Sequence, residues 1–134
     1  MSRGLFVDAS ALCAIVLNEP ERELFKQRIA DAPEAVTSAL ALFETVLAIQ
    51  SRRRVTFDQA ERDVDDLVTA GRIKAIPITA EIGRLAINAR ARYGKGTGHR
   101  VQLNMGDCFA YACARAHGVP LLYKGDDFVH TDLA

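Results

Sequence analysis

The chain has 134 residues, with 17 Lys and Arg against 17 Asp and Glu, so its formal net charge is zero. A hydrophobic fraction of 49% is enough for one core, and the length points to a single domain over 1–134. Balanced charge excludes a globally basic nucleic-acid binder and a polybasic membrane-surface protein, while leaving open a local patch of either sign.

Leu5-Phe6-Val7 is a short apolar run that reads as a buried strand ending at Asp8. Asp8 or Ser10 can cap the helix that follows, Ala11 to Leu17. Glu19-Pro20 restarts a helix, with Pro20 in its first turn and Phe25 and Ile29 one turn apart. Ala35-Val36-Thr37 is a brief strand, and Ser38 caps a helix running to about Arg52. Thr56-Phe57-Asp58-Gln59 has the spacing of a capping box, followed by an amphipathic stripe of Ala60, Val64, Leu67 and Val68 that ends at Gly71. Arg72 to Ile78 is strand-like, with Pro77 marking an edge or its last residue. Thr79 opens a helix with Ile82, Leu85, Ala86 and Ala89 on one face, and Gly94, Gly96 and Gly98 mark a loop after it. Met105 to His117 is helical and closes at Gly118, Val119 to Tyr123 is the last strand, and Gly125-Asp126-Asp127-Phe128 turns out of it.

Strands alternate with helices from end to end, which predicts an α/β domain with a mostly parallel sheet of four or five strands flanked by helices. Such sheets bind ligands outside the carboxyl ends of their strands. The three cysteines, Cys13, Cys108 and Cys113, are odd in number and lack metal-ligand spacing, which fits a reducing cytoplasm. The longest clean apolar run, Ala11 to Leu17, is far short of the roughly 20 residues of a membrane span, so no membrane association is expected.

Carboxylates stand in unusual company. Asp8 directly follows the first strand, where a helix cap is the ordinary explanation. Glu44 lies in Ala39–Ile49, a helix apolar nearly all round, with no basic residue at i±3 or i±4 to pair with it. The apolar surroundings imply deep burial, held by a long-range ion pair, a groove opening to solvent, or a function. Asp107 opens another apolar helix, and Asp126 and Asp127 follow the last strand. Parallel topology can gather these acids at one sheet edge, where they stay ionised only if a cation neutralises them. Hard oxygen ligands without His or Cys nearby point to Mg²⁺, with Mn²⁺ as substitute, and to metal-assisted phosphodiester cleavage.

Four segments, Phe6-Val7-Asp8-Ala9-Ser10-Ala11, Phe43-Glu44, Leu103 to Ala112 and Leu121 to Phe128, together resemble the PIN-domain ribonucleases, above all the VapC toxins of bacterial type II toxin–antitoxin systems. The resemblance covers essentially the whole chain. It implies a PIN-like three-layer fold and a Mg²⁺-dependent endoribonuclease, usually a homodimer, neutralised by a VapB-type antitoxin and acting on tRNA, rRNA or mRNA. By that resemblance Asp8 and Asp107 are direct metal ligands, and Glu44 completes the site directly or through a water. Asp126 is placed on the metal side and Asp127 in the turn, both remaining candidates. Ser10 matches a small hydroxyl residue that holds a water or the Asp8 carboxylate.

Arg52 and Arg53, with Arg54, follow the Glu44 helix and serve either as a solvated helix end or as phosphate contacts. Lys95, His99 and Arg100 lie on the Gly-rich loop before Asp107, which suits steering an RNA backbone. Lys124, beside the last acids, could pair with one of them. The competing reading is a non-catalytic α/β module, either receiver-like or a degenerate PIN domain that only binds a partner. Receivers carry paired acids after the first strand, whereas Asp8 is flanked by Val7 and Ala9. A haloacid-dehalogenase-type phosphatase requires Asp at the place of Ser10 and is rejected.

Overall fold

The computed structural model describes residues 4–94, 103–129 and 131–133. Four strands, β1 (Leu5–Val7), β2 (Ala35–Ser38), β3 (Ile73–Ile76) and β4 (Leu121–Leu122), form one sheet in the order β3-β2-β1-β4. Every pairing is parallel, with Phe6 facing Val36 on one side and Leu121 on the other. Among the described residues six helices connect the strands: α1 (Ala9–Val16), α2 (Arg22–Asp31), α3 (Ala39–Arg53), α4 (Phe57–Ala70), α5 (Ala80–Tyr93) and α6 (Met105–His117).

The alternation of side chains along β1 explains the three layers. Phe6 points into a core shared with α5 and α6, including Ala86, Tyr111 and Cys113. Leu5 and Val7 point the other way, into a core with Leu12 and Ile15 of α1 and Phe25 of α2. A third cluster, Ile49, Ala60 and Val64, joins α3 to α4. Phe6 is fully buried, and a phenylalanine so placed contributes about 1.5–3 kcal/mol by leaving water. The Thr37 hydroxyl is also fully buried and donates to the Val7 carbonyl at 2.9 Å, tying β2 to β1.

Elements fall where the sequence suggests, with informative shifts at their ends. Ser38, Thr56 and Thr79 cap α3, α4 and α5 by accepting from the backbone N–H three residues on. Of the two candidate caps at the first helix, Asp8 is the one used, so α1 begins at Ala9. Pro20 lies in the turn ahead of α2 rather than in its first turn. The third strand is shorter than 72–78 because Arg72 adopts left-handed backbone (φ 52) and Pro77 lies beyond the last ladder residue. The fourth is shorter than 119–123, although Pro120 still lends its carbonyl to Phe6 N at 2.9 Å. The segment carrying Lys95, His99 and Arg100 lies outside the described residues.

The topology locates the crevice. From β1 the chain steps outward to β2 and β3, then returns to β4 on the opposite side of β1. The switch point therefore lies between β1 and β4, and ligands bind outside the carboxyl ends there. Asp8 leaves β1 at that place, and Asp126 and Asp127 come shortly after β4.

Candidate active site

Asp8 is 5% exposed and serves two local roles at once. Its Oδ2 accepts the Ser10 backbone N–H at 3.1 Å as the α1 cap, and the Ser10 hydroxyl at 2.6 Å. The same hydroxyl accepts the Lys124 backbone N–H at 2.9 Å, tying the start of α1 to the exit of β4. Burial raises the Asp8 pKa above its ordinary value, the Ser10 bonds oppose the shift, and the charge of Asp127 adds to it.

Asp107 is the third residue of α6 and forms a reciprocal capping box with Asn104. Asp107 N donates to Asn104 Oδ1 at 2.8 Å, and Asn104 N donates to Asp107 Oδ2 at 3.1 Å. The carboxyl is held in place with its second oxygen outside the box. Burial pushes Asp107 up to about 7, against the Asn104 bond and with help from the charges of Asp127 and Asp8.

Glu44 does not lie in deep apolar surroundings. Only Ala41, Thr45 and Ile49 of α3 are fully buried, while Phe43 is 58% exposed and Leu47 40%. An apolar composition all round α3 leaves two large side chains in solvent, and Glu44 is half-buried. Its carboxylate lies against Gly106 on α6: a Cβ there would come within 2.5 Å of Glu44 Oε1. Partial burial and the charge of Asp8 raise the Glu44 pKa.

The adjacent acids after β4 separate. Asp127 lies close enough to Asp8 and Asp107 for its charge to raise the pKa of both. Both acids are exposed; Asp126, placed on the metal side by the resemblance, lies in the turn, where its carbonyl accepts Val129 N at 3.2 Å, and it is Asp127 whose charge acts on Asp8 and Asp107. The physical reason is the turn itself: Gly125 takes φ 98 and Phe128 is drawn into the core against Tyr123 at 5.0 Å between ring centroids, so that the acid beside Phe128 faces the crevice.

Asp8 thus lies within electrostatic reach of Glu44, Asp107 and Asp127 at the switch point, and Asp107 within reach of Asp127. Among the described residues no ion pair involves any of the four. The donor set is all carboxylate, which suits a hard divalent cation. Among the described residues no three of the acids converge into a closed cage. Burial is the main cause of the raised pKa values of Asp8, Glu44 and Asp107, with like-charge repulsion adding to it.

The basic candidates are engaged elsewhere. Arg52 pairs with Glu19 at 3.5 Å, and Arg53 donates to the Val16 carbonyl at 2.6 Å and lies 4.0 Å from Asp63. Both arginines tie the end of α3 to neighbouring elements. Lys124 pairs with Glu19 and Glu21, not with a crevice acid, which removes the lysine–aspartate pairing of a receiver. Gly106 and Asn104 escaped the sequence reading as site residues. The Asn-x-x-Asp spacing over 104–107 was the available signal for the capping box.

The PIN-domain family model matches residues 5–133. A VapC ribonuclease of Rhizobium meliloti is 41% identical, with 96% of this chain and 98% of the relative covered. The ribonuclease VapC of Mycolicibacterium smegmatis is 38% identical over 97% and 98% of the two chains. In structure the chain is similar to Mycobacterium tuberculosis VapC20, a toxin that cleaves the sarcin-ricin loop (TM-score 0.76, 19% identity, 97% and 96% covered). It is also similar to a chain of a toxin–antitoxin complex from Klebsiella pneumoniae (TM-score 0.71, 16% identity, 96% and 92% covered).

Proposed function

Since this chain belongs to the PIN-domain family and, within it, to the VapC ribonucleases, we propose that it is a Mg²⁺-dependent endoribonuclease, the toxin of a toxin–antitoxin pair. The observation that carries the reading is the set of four acids at the switch point with no Lys or Arg partner among the described residues. A structural acid network would be knitted together by cations, whereas this one has uncompensated negative charge.

Asp8, Asp107 and Asp127 would hold the cation, with Glu44 completing the set directly or through a water. A divalent cation there neutralises the acids and supplies Lewis acidity at a phosphodiester. Ser10 fixes Asp8 Oδ2 and Asn104 fixes Asp107 Oδ2, so the remaining carboxyl oxygens are pre-oriented. Asp107, raised to about 7, carries a proton near neutrality that cation binding must release. Half-buried Glu44, with its raised pKa, is suited to exchange a proton at its carboxylate during attack on the phosphorus.

The partners that go with this reading are an RNA substrate, a VapB-type antitoxin and a second copy of the chain. Self-association is supported by an apolar depression of about 330 Å³ between α5 and α6, beside which Ile87 and Met105 are 68% and 65% exposed. No described helix is long and apolar enough to cross a membrane, and the expected location is the cytoplasm. The deciding experiment is RNA cleavage by purified protein, wild type against Asp8→Asn, in Mg²⁺ and in EDTA. Cleavage by the wild type in Mg²⁺ alone supports the reading. Equal cleavage by Asp8→Asn refutes the carboxylate mechanism, and a wild type that cleaves nothing favours the partner-binding module.

A further inference from the structure

Lys124 is the first charged residue after β4, and its ammonium is committed away from the crevice. Nζ lies 3.1 Å from Glu19 Oε1 and 3.3 Å from Glu21 Oε1. Glu19 is shared with Arg52, whose Nη2 is 3.5 Å from its Oε2. The four charges thus join three places: the turn between α1 and α2, the exit of β4, and the last turn of α3. The Lys124 backbone meanwhile donates to the Ser10 hydroxyl that holds Asp8. One residue is anchored through its side chain to the α1–α2 turn and through its backbone to the Asp8 hydrogen-bond system.

The next three residues are Gly125, Asp126 and Asp127, and Phe128 follows in the core. Gly125 has φ 98, a left-handed conformation that glycine adopts without steric cost and that turns the chain there. Asp127 therefore hangs between two anchors, Lys124 on one side and the Tyr123-packed Phe128 ring on the other. We propose, resting on the ribonuclease reading above, that Lys124 is a positioning residue: the Glu19–Lys124–Glu21 clamp fixes the β4 exit so that Asp127 faces Asp8 and Asp107 and the cation site is complete. The clamp also keeps the ammonium from swinging into the crevice, where it would compete with a divalent cation for the same carboxylates.

A merely structural role is distinguishable. Ion pairs this exposed, with side chains 21–34% accessible, add little to global stability. Loss of the clamp should act on metal affinity and leave thermal unfolding nearly unchanged. The test titrates Mn²⁺ by electron paramagnetic resonance into the full chain and its Lys124→Met, Lys124→Arg, Glu19→Gln and Glu21→Gln variants. Melting curves and Mg²⁺-dependent RNA cleavage are measured alongside. Lys124→Met should weaken Mn²⁺ binding and raise the half-saturating Mg²⁺ concentration by about 10- to 100-fold, as loss of a supporting partner does at metal sites, with Lys124→Arg restoring most of it. Unchanged Mn²⁺ binding in Lys124→Met overturns the proposal. If that variant does not fold, Glu19→Gln and Glu21→Gln decide: weakened Mn²⁺ binding in either supports the clamp, and wild-type binding in both overturns it. If the wild type cleaves no RNA yet binds Mn²⁺ in a Lys124-dependent way, the ribonuclease reading falls while the clamp stands.

Discussion

Gly106→Ala should inactivate the protein without harming its fold. A Cβ at Gly106 would collide most closely with Glu44 Oε2 and would lie 2.5 Å from Glu44 Oε1 and 2.6 Å from Glu44 Cδ. Non-bonded heavy atoms settle at about 3.5 Å or more, so the carboxylate must retreat by more than about 1 Å. The cost to stability is small, because the atoms that move are the free end of a half-buried side chain. Alanine in place of glycine within a helix even gains up to ~1 kcal/mol. The cost to chemistry is larger, since a misplacement of about 1 Å at a reacting group can lower a rate roughly 100-fold. Steady-state RNA cleavage at saturating Mg²⁺ and thermal melting measure the two effects separately. A Glu44→Ala background supplies the control: if the added methyl acts only through Glu44, Gly106→Ala slows that variant no further. Wild-type cleavage by Gly106→Ala, or a further full loss in the Glu44→Ala background, would refute the contact as the cause.

Asp127→Asn should lower cleavage about 10- to 100-fold and weaken Mn²⁺ binding, while Asp126→Asn stays within a few-fold of wild type; the reverse order refutes the assignment of the crevice acid to Asp127. Asp107 is raised from 3.8 to about 7, with Asp8 and Glu44 raised as well, so the folded state keeps protons that the unfolded chain has released. The sign is then fixed: the stability these three carboxyls contribute in the absence of metal is fully present below about pH 4 and is lost as pH rises through about 7, and the stabilisation by Mg²⁺ grows over the same window. Melting temperatures in EDTA and in Mg²⁺ from about pH 5 to 8 check both slopes. Burial, reinforced by the charge of Asp8, pushes the Cys13 thiol up to about 11. At pH 8 only about 0.1% is thiolate, so iodoacetamide should label Cys13 rapidly only once the chain unfolds, and rapid native labelling would refute that environment.

What the sequence made legible is what local chemistry determines. The caps at Ser38, Thr56 and Thr79 and the glycine after α6 act through neighbours three or four residues away, and they lie where the pattern puts them. The alternation of strands and helices determined the parallel sheet, and with it the edge to which Asp8 and Asp127 belong. The choice between Asp126 and Asp127 was not legible, because adjacent residues in a turn differ only in direction. That direction depends on where Phe128 finds its place in the core. Nor was the half-exposure of Glu44, since an apolar helix can be buried on every side or carry a surface of its own, and periodicity does not distinguish the two. Gly106 is the same case at the scale of one atom: only the approach of α3 to α6 shows that a methyl there meets Glu44.

The zero net charge takes its meaning from the same long-range placement. Arg52 is held by Glu19, Arg53 by the Val16 carbonyl and Asp63, Lys124 by Glu19 and Glu21, and Arg115 by Asp132. Within the described residues these cations are thus engaged with groups outside the crevice, and none forms an ion pair with the four crevice acids. A balance that sums to zero over the chain is strongly negative at the switch point. RNA, itself a polyanion, meets repulsion there until something positive intervenes. A divalent cation would therefore do more than polarise the phosphodiester: it would reverse the local sign of the field and admit the substrate to a site that otherwise excludes it. On this reading the clamped Lys124 and the unpaired acids are two halves of one arrangement. The paired cations among the described residues are kept out of the crevice, so that binding of the metal, not Lys124, decides when RNA can enter.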